Sequence, residues 1–300
     1  MSSELEVHAF AEARPLAEGV ARCLAVVCRG VDVHRFPDGE SLVRVCSDGP
    51  RRAVLVRSLD QPNVKIVEIL FAADALRRAG VEELVLVAPY LGYMRQDRAF
   101  HAGEAVSQRV VGMLLGTAFD RLLTVEAHLH RIQKLVEVFP CQARSVSAAP
   151  LIGEWCRSRG RCDIVVGPDD ESEPWVRVAA EAAGLRWTVC HKARSGDRDV
   201  EVEVPRLPGG VQSALLVDDV ASSGATLAAA TRGLRSRGVD RVEAVVVHAL
   251  FDEATERRLR EAGLGGLYST DTVPHSTNQL GTAGLLAKGV ADLFSAAGGH

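Results

Sequence analysis

Lysine is scarce in this sequence: Lys65, Lys134, Lys192 and Lys288 are the only four among 35 basic residues, the rest being arginine. Positive charge is not in excess either. A net charge of −4 and a pI of about 6.2 argue against a sequence-independent nucleic-acid binder, which needs clustered Lys and Arg to neutralise phosphates, so any bound polyanion is expected to be small. The seven cysteines (Cys23, Cys28, Cys46, Cys141, Cys156, Cys162, Cys190) are odd in number, scattered and never spaced Cys-x-x-Cys. That argues against a disulfide framework and a zinc site, and leaves buried reduced thiols as the expectation. No run of about 18 apolar residues occurs, which excludes an apolar membrane-spanning helix. Residues Met1 to Val20 lack a basic start followed by an apolar stretch, so no secretory leader is expected and the chain is placed in the cytoplasm.

What is present is ordinary for an α/β protein: 300 residues, 47% hydrophobic and 25% charged, enough for two moderate domains. Apolar, β-branched runs at Ala53–Arg57, Leu84–Ala88, Leu122–Val125, Ile164–Val166, Ala214–Val217 and Val242–Val247 read as buried strands. Helical spacing fills the gaps. Val64–Ala79 stops at Gly80 and Ala225–Arg237 stops at Gly238, as helices commonly do. This order predicts an α/β fold with mostly parallel sheets flanked by helices. Pro140 to Pro150 interrupts the rhythm, and the expected domains are 1–146 and 147–300, with packing of the last helix back on the first domain left open. The halves have similar rhythm and length, which hints at duplication, without a residue-by-residue repeat.

In open parallel sheets ligands bind beyond the carboxyl ends of the strands, where loops converge and helix N-termini point at the ligand. Those loops are unusually polar here: Pro89–Arg98, Glu126–His130, Pro168–Glu171, His191–Arg194 and Asp218–Thr226. The last is the most informative. A buried strand leads into Asp218 and Asp219, then Ser222, Ser223, Gly224, Ala225 and Thr226 open a helix. Such a turn can aim backbone N–H groups and hydroxyls at a phosphate, with Gly224 permitting close approach. The two carboxylates would repel that phosphate, so sugar hydroxyls, met directly or through a cation, are their natural partners. This string resembles the phosphoribosyl diphosphate loop shared by phosphoribosyltransferases and ribose-phosphate diphosphokinases, in which the acids hold ribose hydroxyls and the loop cradles the 5-phosphate.

The first half carries two further strings. Phe36-Pro-Asp-Gly-Glu40 sets an aromatic face beside two carboxylates, and Arg95-Gln-Asp97 offers a guanidinium and an amide, a combination suited to a purine nucleotide. Arg35–Ser41, Ala88–Arg98 and Gly103-Glu-Ala-Val-Ser107, in this order and spacing, resemble the ribose-phosphate diphosphokinase family over about residues 30 to 280.

The resemblance implies two phosphoribosyltransferase-like domains, the first binding ATP and the second ribose 5-phosphate. It implies that Phe36, Asp38, Gly39 and Glu40 reach ATP in a neighbouring subunit, while Arg95, Gln96 and Asp97 touch ATP within their own, which requires a homo-oligomer. His128, after Thr124-Val-Glu-Ala, and Asp169 fall at the family's magnesium site, His128 acting on the metal directly or through ATP or water. Asp218, Asp219, Ser222 to Thr226 and Arg194 would hold ribose 5-phosphate. Lys192 and Arg194 fall on the family's catalytic loop, whose cations close over the reacting phosphates. The chain departs from the commoner pattern at Asp170, Glu171 and Glu173, where acid crowds the loop and Glu171 replaces a frequent glycine. A solvated acidic loop, added metal affinity and an altered substrate contact all remain open there.

The implied reaction is in-line attack of the anomeric hydroxyl of ribose 5-phosphate on the β-phosphorus of ATP, with magnesium spanning the phosphates and AMP leaving. Neither nucleic acid nor a membrane is an expected partner. Two competing readings are a phosphoribosyltransferase, which leaves Phe36–Glu40 and Arg95–Asp97 unexplained, and a silent regulatory subunit, which sits poorly with the retained Lys192, Arg194, His128, Asp169 and phosphate loop.

Overall fold

A computed structural model describes residues 4–129, 134–195 and 200–295. The chain divides into two compact units, one formed by Met1–Val146 with Thr282–His300 and the other by Ser147–Gly281.

In the first unit the elements follow as β1 (Leu5–Phe10), α1 (Arg14–Leu24), β2 (Val27–Arg35), β3 (Ser41–Val45), β4 (Arg52–Val56), α2 (Pro62–Arg78), β5 (Glu83–Val87), α3 (Ser107–Ala118), β6 (Arg121–Val125) and β7 (Gln142–Val146). They build a seven-stranded sheet in the order β3-β2-β1-β4-β5-β6-β7, parallel throughout except for the antiparallel β2–β3 hairpin. The central strands β4, β5 and β6 are buried on both faces, which is why they read as continuous apolar runs rather than alternations. One face packs Phe10, Leu55, Leu84, Leu86 and Leu122 against Ile69 and Leu76 of α2 and Leu115 of α3.

The second unit contains α4 (Ala149–Arg159), β8 (Ile164–Gly167), α5 (Glu173–Ala183), β9 (Arg186–Val189), β10 (His191–Ser195), β11 (Val200–Glu203), β12 (Ser213–Ala221), α6 (Ala225–Ser236), β13 (Arg241–Ala249), α7 (Glu253–Glu261), β14 (Gly266–Thr270) and β15 (Asn278–Leu280). Six of its strands form a wholly parallel sheet in the order β15-β14-β13-β12-β8-β9, while β10 and β11 pair as a separate antiparallel ribbon. Both sheets are the mostly parallel, helix-flanked kind that the apolar rhythm predicts.

The segment from Pro140 to Pro150, which the sequence reads as an interruption, holds β7 and the first turn of α4, with Pro150 at the helix start where a missing N–H costs nothing. The last helix, α8 (Ala283–Ser295), belongs to the first unit, the packing that the 147–300 division leaves open. It is seated by close approaches: a Cβ on Gly19 of α1 would lie 2.8 Å from Ala283, and one on Gly289 would lie 2.8 Å from Leu123 of β6. Among the described residues no helix is long and apolar enough to cross a membrane.

Candidate active site

In the first unit every candidate residue lies beyond the carboxyl edge of the parallel sheet. Arg35 ends β2 and Ser41 begins β3, the two paired in register, and residues 36–40 form the tip between them. The tip is tied by Phe36 N–H donating to the Glu40 carbonyl (2.8 Å), by Gly39 N–H donating to Phe36 O (3.0 Å), and by Glu40 N–H donating to Asp38 Oδ1 (3.1 Å). Phe36, Asp38, Gly39 and Glu40 are all exposed, and the Phe36 ring meets His34 edge-on at 4.6 Å. A free aromatic face beside two carboxylates is therefore available to a ligand.

The loop after β5 brings Arg95, Gln96 and Asp97 to the same edge. Tyr93 there adopts a left-handed φ of 69°, uncommon for a bulky residue and often found at ligand loops. Gln108, in the first turn of α3 and outside every motif singled out above, holds this loop. Its buried side-chain amide donates to Met94 O (3.0 Å) and its backbone N–H donates to Gln96 O (3.2 Å). Arg95 is half-buried, and its Nε has no hydrogen-bond acceptor among the described residues. The Gly103–Ser107 string is tied back to the residues before it, with Glu104 Oε2 accepting from the Phe100 (2.7 Å) and His101 (3.0 Å) amides. Past β6, Glu126 has a φ of 38°, and Glu126 and Ala127 are hydrogen-bonded to β7 at Val146 O and Ser145 Oγ. His128 follows, half-buried; His130 lies outside the described residues.

In the second unit Pro168 and Asp169 follow β8. Gly167 is required by close packing, because a Cβ there would overlap Ser172 Oγ, which itself donates to Asp169 O. The acidic residues beyond have a structural account. Asp170 and Glu171 are exposed and Glu173 sits in the first turn of α5, where the helix dipole favours negative charge. Asp170 also contacts His191 Nδ1 at the start of β10.

Asp218 and Asp219 lie in the carboxyl-terminal part of β12, Asp219 buried and Asp218 half-buried. Burial, then the negative charges of Asp219 and Asp169, push the Asp218 carboxyl well above the ordinary carboxylate range. Crowding of three neighbouring carboxylates is relieved by hydroxyl donors or a cation. Oxygen donors of this kind suit a hard divalent cation that keeps several waters, although among the described residues no group of three His, Cys, Asp or Glu is spaced to hold a metal by itself.

The β12–α6 turn then presents Ser222 and Ser223, both exposed, ahead of the α6 N-terminus. Gly224 takes the left-handed φ of 69° and comes so close to α7 that a Cβ would stand 2.8 Å from Thr255 Cγ2. Ala225 and Thr226 supply the first N–H groups of the helix, which point toward whatever the loop encloses. Arg258 of α7, another residue the motifs did not single out, donates to Ser223 O (3.4 Å) and Thr255 Oγ1 (2.7 Å), bracing the turn from outside. Lys192 and Arg194 belong to β10, opposite Val202 and Glu201 of β11 with a bulge between them. Their side chains lie outside the described set, as do residues 196–199.

The family model of the N-terminal domain of ribose phosphate pyrophosphokinase matches residues 5–118, and that of the phosphoribosyl transferase domain matches residues 147–266. The ribose-phosphate pyrophosphokinase of Methanopyrus kandleri is 33% identical over 96% of this chain and 99% of its own, and that of Thermococcus kodakarensis is 34% identical over 83% and 88%. The crystal structure of the phosphoribosylpyrophosphate synthetase of Mycobacterium smegmatis superposes with a TM-score of 0.80 at 25% identity, covering 98% of this chain and 99% of that one. With both domain models matched in order and relatives aligned nearly end to end, the chain belongs to the ribose-phosphate pyrophosphokinase family.

Proposed function

We propose that this protein transfers the diphosphate of ATP to the anomeric hydroxyl of ribose 5-phosphate, releasing 5-phosphoribosyl 1-diphosphate and AMP. The observation that carries the reading is the β12–α6 turn, where crowded carboxylates at Asp218 and Asp219 adjoin a helix N-terminus opened by left-handed Gly224. One end of such a site wants sugar hydroxyls and the other wants a phosphate. Ser222, Ser223, Ala225 and Thr226 receive the 5-phosphate through hydroxyls and N–H groups, with Arg194 adding positive charge. The Asp218 and Asp219 carboxylates accept hydrogen bonds from the ribose hydroxyls, which offsets their mutual repulsion.

ATP belongs to the first unit. Arg95 and Gln96, with Asp97, hold it from the loop after β5. Phe36, Asp38, Gly39 and Glu40 serve the ATP of a neighbouring copy from the exposed hairpin tip. His128 of the first unit and Asp169 of the second are each the kind of residue that would hold magnesium, whose charge would offset that of the ATP phosphates. Lys192 and Arg194 stabilise the charge that grows on the transferred diphosphate and on the leaving oxygen. The reaction needs alignment and charge more than covalent help.

A second copy has a surface to meet. Val64, Val67 and Phe71 stand exposed on one stripe of α2, and Val110, Met113 and Leu114 stand exposed on the neighbouring α3. We assign this face to self-association, because an ATP site completed by another copy's hairpin requires first units in contact.

The functional reading is tested by mixing the purified protein with ATP, magnesium and ribose 5-phosphate and separating the nucleotides. AMP should appear only with the sugar and in step with its consumption. ADP in place of AMP, or AMP without sugar, contradicts the proposal.

A further inference from the structure

Helix α2 carries one acidic residue on its inward face that no active-site motif accounts for. Glu68 is fully buried, in a stripe that otherwise supplies Ile66, Ile69, Ala72 and Leu76 to the core. Its Oε1 accepts from Arg35 Nε (3.1 Å) and from Ser41 Oγ (3.1 Å), and its Oε2 is ion-paired with Arg57 Nη2 (2.7 Å). Arg35 and Ser41 are the register-paired residues that flank the five-residue tip, so one carboxylate grips both legs of the hairpin at its mouth. Arg57 is itself only 2% exposed, stacks over the Phe10 ring at 3.8 Å and donates to Glu12 (2.8 Å). The grip is thereby anchored to the ends of β1 and β4.

Burial would raise the Glu68 carboxyl, but the bonds from Arg35 and Ser41 and the paired charge of Arg57 together outweigh it and hold the group below its ordinary value. A buried ion pair is weak support for stability, because desolvation offsets most of its attraction. What it does provide is geometry. We infer that Glu68 is a positioning residue for catalysis: it fixes the exposed tip Phe36–Glu40 in the orientation in which the tip meets ATP. This rests on the proposed role of that tip in ATP binding. Glu68 touches no substrate and acts only through Arg35, Ser41 and Arg57.

The test pairs amide hydrogen exchange of the segment 35–41 with steady-state kinetics. In Glu68→Gln, exchange of this segment should quicken about fivefold or more, and KM for ATP should rise by a similar factor, while KM for ribose 5-phosphate stays within about twofold. Ser41→Ala removes one grip without stranding the buried Arg57, and should move both readouts the same way by about threefold. If Glu68→Gln does not fold, Ser41→Ala and Arg35→Ala decide the matter alone. Unchanged loop exchange, or an unchanged ATP KM, overturns the inference. So does an equal loss for both substrates that follows a lowered Tm, since that is the mark of a purely structural residue. A wild-type protein without turnover would defeat the functional reading instead, and the exchange measurement would still decide whether Glu68 clamps the hairpin.

Discussion

Asp218 shows most clearly how function and stability pull apart in single residues. Its carboxyl is crowded by Asp219 and Asp169 and held above its usual range, a configuration that serves a ligand and burdens the unliganded protein. Asp218→Asn should therefore stabilise the free protein by about 1 kcal/mol, read as a higher Tm, while weakening ribose 5-phosphate by roughly 10–100-fold in calorimetric titration. ATP affinity should hold. Asp218 and Ser222 stand out in the sequence because polar residues directly after an apolar run are conspicuous, and the structure puts them in the last part of β12 and the turn after it. Glu68, Gln108 and Arg258 do not. Each acts by what it packs beneath, and an acid in an apolar helical stripe reveals its partners only once α2, β2 and β4 are brought together.

Among the elements, the central strands were readable because parallel strands buried on both faces must be apolar throughout, as β4, β5, β6 and β12 are. The β2–β3 hairpin and the β10–β11 ribbon were not, because strands rich in polar residues resemble loops. Strand β7 was hidden between two prolines that mark its surroundings and not its interior. The ribbon matters most for chemistry. Its His191 is tethered to Asp170, and β11 is packed so closely on α6 that a Cβ on Gly233 would stand 2.6 Å from Val204 just beyond the strand. The backbone bearing Lys192 is thus held from both sides. Lys192→Ala should lower turnover on the order of a hundredfold or more, about 3–4 kcal/mol of barrier, because it removes charge from the transition state. Ribose 5-phosphate binding should change by only a few fold, and near-normal turnover in single-turnover kinetics would remove Lys192 from the mechanism.

At the level of the whole molecule, the two compact units divide after Val146 and α8 joins the first of them, a packing that the sequence leaves open. Helical spacing shows that a helix exists and has an apolar face. It does not show which sheet that face will find, and here small residues at Gly19 and Gly289 make the fit. The exposed stripes on α2 and α3 carry a prediction at this scale. Replacing Phe71 and Met113 together by glutamate should convert an oligomer to monomers in analytical ultracentrifugation and, by removing the neighbour's hairpin from the ATP site, lower turnover at least about tenfold. A native assembly that survives the double change would mean another face joins the copies.

The central claim is that the anomeric oxygen of the sugar attacks the β-phosphorus of ATP. It is tested most directly by turning over ribose 5-phosphate labelled with oxygen-18 at the anomeric position and reading the product by phosphorus NMR. The account predicts that the label is retained in the bridge between the anomeric carbon and the new diphosphate, seen as an isotope shift on the attached phosphorus, with AMP as the other product. Loss of the label from the bridge, or formation of ADP, would contradict it.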